Sequence, residues 1–251
     1  MKGMKYLAAV AILCGAMTIA AQEVDQRATE FNQLAVTEYE AGKYVKALGL
    51  LNKALELRPD DTRASYNLGV VYIVLKRYDE AIAALAHAIS LDPNYAEAFS
   101  QLGVAYLGTG ETATAIPVFK RSLSLRPDNP LTLYNLGCAY VRLQRFAEAI
   151  EVLEKANNFD GNDAEIHLNL GYAYGRQNRW NLAVSEIEKA VALNPKDAQS
   201  NYLLGQSYMF IARKDLALER TRRLYALDPA LSRKLLTWIE GDKLVALDGR
   251  P

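Results

Sequence analysis

The chain has 251 residues, 51% of them hydrophobic and 23% charged, with 29 Lys and Arg against 29 Asp and Glu. That composition is neither disordered nor collagen-like, and a formal charge of zero argues against a polyanion binder, which needs clustered cations. Two Cys exclude a disulfide-built scaffold, and two His leave little for a histidine-rich metal site.

The N-terminus, from Met1 to Ala21, reads as an export signal. Lys2 and Lys5 give a positive start, Tyr6 to Ala21 is apolar or small apart from Thr18, and Ile19-Ala20-Ala21 places small residues before Gln22. The apolar run is 16 residues, short of the roughly 20 that a spanning helix needs. Cleavage is expected after Ala21; an uncleaved N-terminal anchor is the alternative. Bacterial lipoprotein signals place Gly, Ala or Ser before the modified Cys, whereas Leu13 precedes Cys14 here. Processing removes Lys2 and Lys5 and no acid, leaving 27 basic and 29 acidic residues and Cys138 as the single thiol. Residues 22–27 then lead into the first helix.

The remainder is organised by a repeat. Pro59, Pro93, Pro127, Pro195 and Pro229 fall on one even grid, with Gly161 in the missing slot. Leu68-Gly69, Leu102-Gly103, Leu136-Gly137, Leu170-Gly171 and Leu204-Gly205 share its period, with Leu34-Ala35 one period earlier. Tyr72, Tyr106, Tyr140, Tyr174 and Tyr208 follow each Gly at one fixed offset, and Ala81, Ala115, Ala149, Ala183 and Ala217 at another. Within each period, apolar residues recur at helical spacing on either side of a polar break such as Lys76-Arg77. Each unit therefore reads as two amphipathic helices that approach closely at Gly and Ala, with Pro ending the second.

This pattern resembles the tetratricopeptide repeat (TPR) family, whose unit is a 34-residue helix pair. The resemblance covers residues 28–231 as six units: 28–61, 62–95, 96–129, 130–163, 164–197 and 198–231. It implies an all-α, right-handed α-solenoid of six helix-turn-helix units, whose open end needs a cover. Ala230 to Glu240 supplies that cover, since Leu231, Leu235, Trp238 and Ile239 form an apolar stripe; a capping helix over 232–241 stopping at Gly241 is expected, then a tail over 242–251. Pro117, inside the third unit's second helix, predicts a kink or a late start near Thr114 and the softest joint of the array. In the last unit Lys214 and Thr221 replace an aromatic and a bulky residue, as a terminal repeat adapting to its cap would.

No catalytic constellation emerges. His87 and His167 read as surface or packing residues, and Cys138, in a slot shared with Val36, Val70, Val104 and Tyr172, as a small apolar one. The glycines at 103, 108 and 110 lack the Lys-Ser/Thr of a phosphate loop, and no metal or calcium spacing is present. The sequence thus predicts no enzyme activity and no cofactor.

A binding surface is legible instead. One residue round from the core column, the first helices carry a second stripe that includes Tyr39, Tyr66, Val70, Tyr134, Cys138, Tyr172, Tyr202 and Met209. In TPR arrays this stripe lines the concave groove, and its apolar and aromatic character suits an extended segment or an amphipathic helix. The neighbouring amides Asn67, Gln101, Asn135 and Asn169 resemble the asparagine ladder with which some long TPR superhelices grip a peptide backbone; inter-helix contact is the alternative role. The Lys and Asn clamp of chaperone-docking TPR domains is absent, since Tyr66, Val70, Tyr134 and Cys138 stand in the groove. The reading is a non-catalytic scaffold, exported to the periplasm or beyond, that binds a protein or peptide partner and assists assembly at the cell envelope. No nucleic acid is expected, and membrane contact only through the N-terminal segment, as in an adaptor that keeps it.

Overall fold

The computed structural model describes residues 22–159 and 161–247. The expected export signal lies outside them. Among the described residues there are thirteen helices and no strand. They run α1 (22–40), α2 (Tyr44–Leu57), α3 (Thr62–Val74), α4 (Tyr78–Leu91), α5 (Ala96–Thr109), α6 (Thr112–Leu125), α7 (Pro130–Arg142), α8 (Phe146–Asn157), α9 (Ala164–Arg176), α10 (Trp180–Leu193), α11 (Ala198–Phe210), α12 (Lys214–Leu227) and α13 (Pro229–Leu247). Starts recur at one even interval, at 62, 96, 130, 164 and 198 for first helices and at 44, 78, 112, 146, 180 and 214 for second ones. The chain forms two compact units, one ending at Pro127 and one beginning at Asp128.

Local chemistry fixes these boundaries. Asp61, Asn129, Asp163 and Asp197 each accept a backbone N–H of the next first helix, satisfying donors that have no partner inside it. At the turn inside each pair, one residue adopts a left-handed backbone: Gly42, Lys76, Gly110, Gln144, Asn178 or Ala212. The N–H of the following residue then reaches back to close the first helix, as Arg77 does to the Tyr72 carbonyl (2.9 Å) and Arg213 to that of Tyr208 (2.8 Å). That backbone is strained for any residue but glycine, so four of the six turns carry a conformational cost.

Pairs close through a cradle on the first helix and a knob on the second. A β-carbon on Gly69 would lie 2.5 Å from Leu85 Cγ, one on Gly103 2.5 Å from Phe119 Cε1, and one on Gly137 2.5 Å from Leu153 Cγ; Gly171 faces Ile187 in the same way. Leu85, Phe119 and Leu153 are fully buried, as are Ala47, Ala81, Ala115, Ala149, Ala183 and Ala217 on the facing helices. Glycine and alanine at these points let the two helices touch at close range, where dispersion contacts are densest.

Three expectations at the ends and middle change. The segment 22–27 forms the first turns of α1 rather than a separate lead-in. α13 continues through Gly241 to Leu247, so the cap is longer than 232–241 and takes in the start of the expected tail; Gly241 lacks the positive φ of a helix stop. α6 begins at Thr112, on the grid, with Pro117 inside it, so there is no late start. Ala113, whose carbonyl loses its partner to the proline, and Pro117 both face solvent, where water can satisfy the freed group.

Candidate functional site

In the first unit, residues from α1 and α3 converge on one cleft with about 200 Å3 of free volume. Ala35, Val36, Tyr39, Glu40, Leu51, Tyr66, Asn67, Val70 and Val71 line it. Three of these, Tyr39, Tyr66 and Val70, belong to the second stripe, and Asn67 belongs to the neighbouring amides. Helical spacing puts Val36 and Tyr39 on one helix edge and Tyr66 and Val70 on the next, so side-by-side packing brings them together. The walls are held rather than loose: Tyr39 meets Tyr44 edge-on at 5.5 Å between ring centroids, and Tyr66 lies 5.0 Å from the ring of Tyr95. Burial raises the Tyr66 phenol above its ordinary range, with nearby Glu97 adding to the effect and a hydrogen bond to Gln101 opposing it.

The amides do not form one open ladder. Asn67 donates to Asn32 Oδ1 at 2.8 Å, a bond between neighbouring first helices, and Asn169 donates to the Glu165 carbonyl of its own helix at 2.8 Å. Gln101 is engaged with Tyr66, while Asn135 is half-buried on α7.

In the second unit the expected residues separate. Tyr134 and Cys138 sit one turn apart on α7 and share a hydrogen bond; burial is the main cause that pushes both the phenol and the thiol up. A thiol in that state is mostly protonated near neutral pH, which fits the packing role rather than a reactive one. Tyr202 departs from the groove expectation: it is 7% exposed and belongs to the core beneath α13, with Lys234 Nζ 5.4 Å over its ring. Met209 packs partly buried against that same core. The cap helix covers what sequence spacing alone leaves open.

Tyr172 instead lines a second cleft, with about 350 Å3 of free volume, between α9, α10, α11 and α13. Its aromatic wall is not part of the stripe that the repeat marks out. Trp180 stacks on Phe210 at 3.7 Å and 4°, and Phe210 meets Trp238 at 5.6 Å. Phe210 stays 52% exposed and Trp238 37%. The sequence carries a partial signal, since Trp180 occupies the slot of Tyr44, Tyr78 and Phe146; the partners at 210 and 238 are joined only by the fold.

The two histidines are structural. His87 Nδ1 lies 3.0 Å from the Oγ of buried Ser65, a part-buried contact that joins α4 to α3. His167 is buried, with Nε2 3.0 Å from the Gly161 carbonyl and Nδ1 2.7 Å from Glu186 Oε2, tying the turn before α9 to α10. Among the described residues no group of three or more His, Cys, Asp or Glu is placed to hold a metal ion.

The tetratricopeptide repeat pattern matches residues 38–102 and 106–171, and a second pattern of the same description matches 164–197. No curated protein matches the chain. Solved structures with the same fold include PilF of Pseudomonas aeruginosa, at 19% identity and TM-score 0.75 over 86% of this chain and 99% of that one. PilW, a type IV pilus biogenesis factor, gives 19% identity and TM-score 0.74 over 84% and 99%. YrrB, a TPR protein with an unusual peptide-binding site, gives 22% and 0.66 over 74% and 97%. With just over half its length inside the repeat pattern and helix pairs recurring on a single even period, the chain belongs to the tetratricopeptide repeat family of protein-interaction scaffolds.

Proposed function

We propose that this protein holds a segment of a partner protein against the second stripe of its first helices, centred on the cleft between α1 and α3. The observation that carries the reading is the convergence of Tyr39, Tyr66, Asn67 and Val70, with Val36, around one open apolar cleft. Tyrosine there offers a large contact area with two rotatable bonds and a hydroxyl, so an incoming side chain gains burial at low entropy cost. A groove of this kind takes an amphipathic helix or an extended segment whose apolar residues alternate with polar ones.

The compartment we propose is the cell envelope, reached through the N-terminal export signal, where the protein assists assembly of its partner. The signal-like features of residues 1–21 support this. Among the described residues no helix is long and apolar enough to cross a membrane. Intact mass of the protein recovered from its native compartment tests the point: a chain beginning at Gln22 is expected, and one beginning at Met1 would make it an adaptor tethered by that segment.

Binding is tested by partner capture with Tyr39→Ala and Tyr66→Ala. Loss of capture with helicity retained is expected; undiminished capture would place the partner elsewhere.

A further inference from the structure

The two clefts differ in charge. The one in the first unit has a single charged lining residue, Glu40; the one in the second unit has a single charged lining residue of the opposite sign, Arg176, and no carboxylate. The Arg176 guanidinium lies 5.2 Å over the ring of Phe146. At that distance the ring attracts the cation and helps to hold it, and a guanidinium carries its N–H donors in a planar fork. Such a fork matches a carboxylate with two parallel hydrogen bonds.

The same cleft is lined by the wall of Trp180, Phe210 and Trp238 and by Tyr172. Free volume of about 350 Å3 accommodates one large side chain and a stretch of backbone, less than a whole helix requires. Gln206 donates its amide N–H to the Tyr202 hydroxyl at 3.2 Å, and its amide oxygen is an acceptor by chemistry. Trp238 comes from α13, so the helix that closes the core also completes this cleft.

We infer that the second cleft binds an extended peptide segment in which an aromatic or large aliphatic side chain is followed by an acidic residue. The apolar side chain packs on the Trp180, Phe210 and Trp238 wall, and the acidic side chain takes the Arg176 fork. The inference rests on the peptide-binding reading of this protein but uses residues separate from the first cleft.

Trp180 and Trp238 are the chain's two tryptophans and both line the cleft, so intrinsic fluorescence reads its occupancy directly. The probes are capped decapeptides of Gly and Ser carrying one Phe beside two Asp, two Asn or two Lys. Saturable quenching is expected with the Asp peptide, with an affinity at least about tenfold above that for the Asn peptide and no saturation with the Lys peptide. Arg176→Gln, at an exposed position, should bring Asp and Asn peptides within about twofold of each other, and Phe210→Ala should weaken all of them. Tyr66→Ala should leave the titration unchanged. Equal binding of Asp and Lys peptides, or no saturable signal with any, would overturn the inference. A response to phosphatidylglycerol vesicles without one to the peptides would also overturn it and make the aromatic wall a lipid contact. Loss of partner capture in Tyr66→Ala alongside failure of these titrations would leave the first cleft standing and remove the second.

Discussion

Leu235 of α13 fills the space that a side chain on Gly205 of α11 would need: a β-carbon there would press into Leu235 Cδ2 and lie 3.4 Å from Cδ1. In the four preceding pairs that cradle receives a bulky residue from the pair's own second helix, but the corresponding slot here is Thr221. The small residue makes room, its carbonyl accepts from Ser232 Oγ at 2.8 Å, and Lys214, in a slot held by an aromatic at 44, 78, 146 and 180, donates to the Ile239 carbonyl at 3.1 Å. The last repeat thus departs from the pattern where it receives the cap.

Because Leu235 is fully buried, Leu235→Ala should cost about 2–5 kcal/mol through lost burial and the cavity left behind. Gly205→Ala should also destabilise, by overpacking against Leu235 and against Arg220 Cβ at 3.3 Å. Urea unfolding followed by tryptophan fluorescence measures both; a midpoint unchanged in Leu235→Ala would show that α13 is not part of the cooperative unit.

The turn residue Ala212 has φ of 59° and no side-chain hydrogen-bonding group to offset the strain. Ala212→Gly removes a cost of about 1–2 kcal/mol and adds a smaller entropic one, so a net gain of about 0.5–1 kcal/mol is expected. A rise in melting temperature checks it, while the reverse change, Gly42→Ala, should lower stability.

Glu38 is held below its ordinary carboxylate value of 4.5, first by its hydrogen bond to Lys46 at 2.6 Å and then by the Lys43 and Lys46 charges, against the opposing effect of burial. A lowered folded value means that the stabilisation is present above about pH 4.5 and is lost as pH falls through the folded value. Glu38→Gln should therefore be less stable than the parent at pH 7, with the difference shrinking as pH falls below 4.5. Thermal melts of the two proteins across pH 3 to 7 measure the gap; a gap independent of pH would contradict this account of the α1/α2 turn.

Burial raises the Cys138 thiol, with Tyr134 and Arg142 pulling the other way. Its thiolate fraction at pH 8 is consequently smaller than that of a free cysteine, and iodoacetamide labelling of the folded chain should run at least about tenfold slower than in urea. Equal rates would mean that the site opens freely.

The repeat register is legible because it is written in residues whose size alone decides packing: glycine at 69, 103, 137 and 171 admits a neighbour, and alanine at 81, 115, 149 and 183 does the same from the facing helix. The first cleft follows from that register, since Tyr39, Tyr66 and Val70 lie on first helices a single repeat apart. What the register does not supply are contacts made by the one helix outside it. Tyr202 sits on the same stripe as Tyr66, yet α13 buries it, and Trp238 reaches Phe210 with no periodic relation between them. Pro117 misleads for a different reason: propensity counts a lost hydrogen bond, while the structure sets that bond on a solvent-facing edge.

The central claim, that a partner segment lies in the cleft between α1 and α3, is tested most directly by site-specific photo-crosslinking in the native compartment. A benzoylphenylalanine at Val70, in the cleft, is compared with one at Glu80, on the exposed face of α4. The account predicts a discrete protein adduct from position 70 that disappears when Tyr39 and Tyr66 are both changed to Ala, and none from position 80. Adducts of the same mass and yield from both positions, or an adduct at 70 that survives the double change, would contradict it.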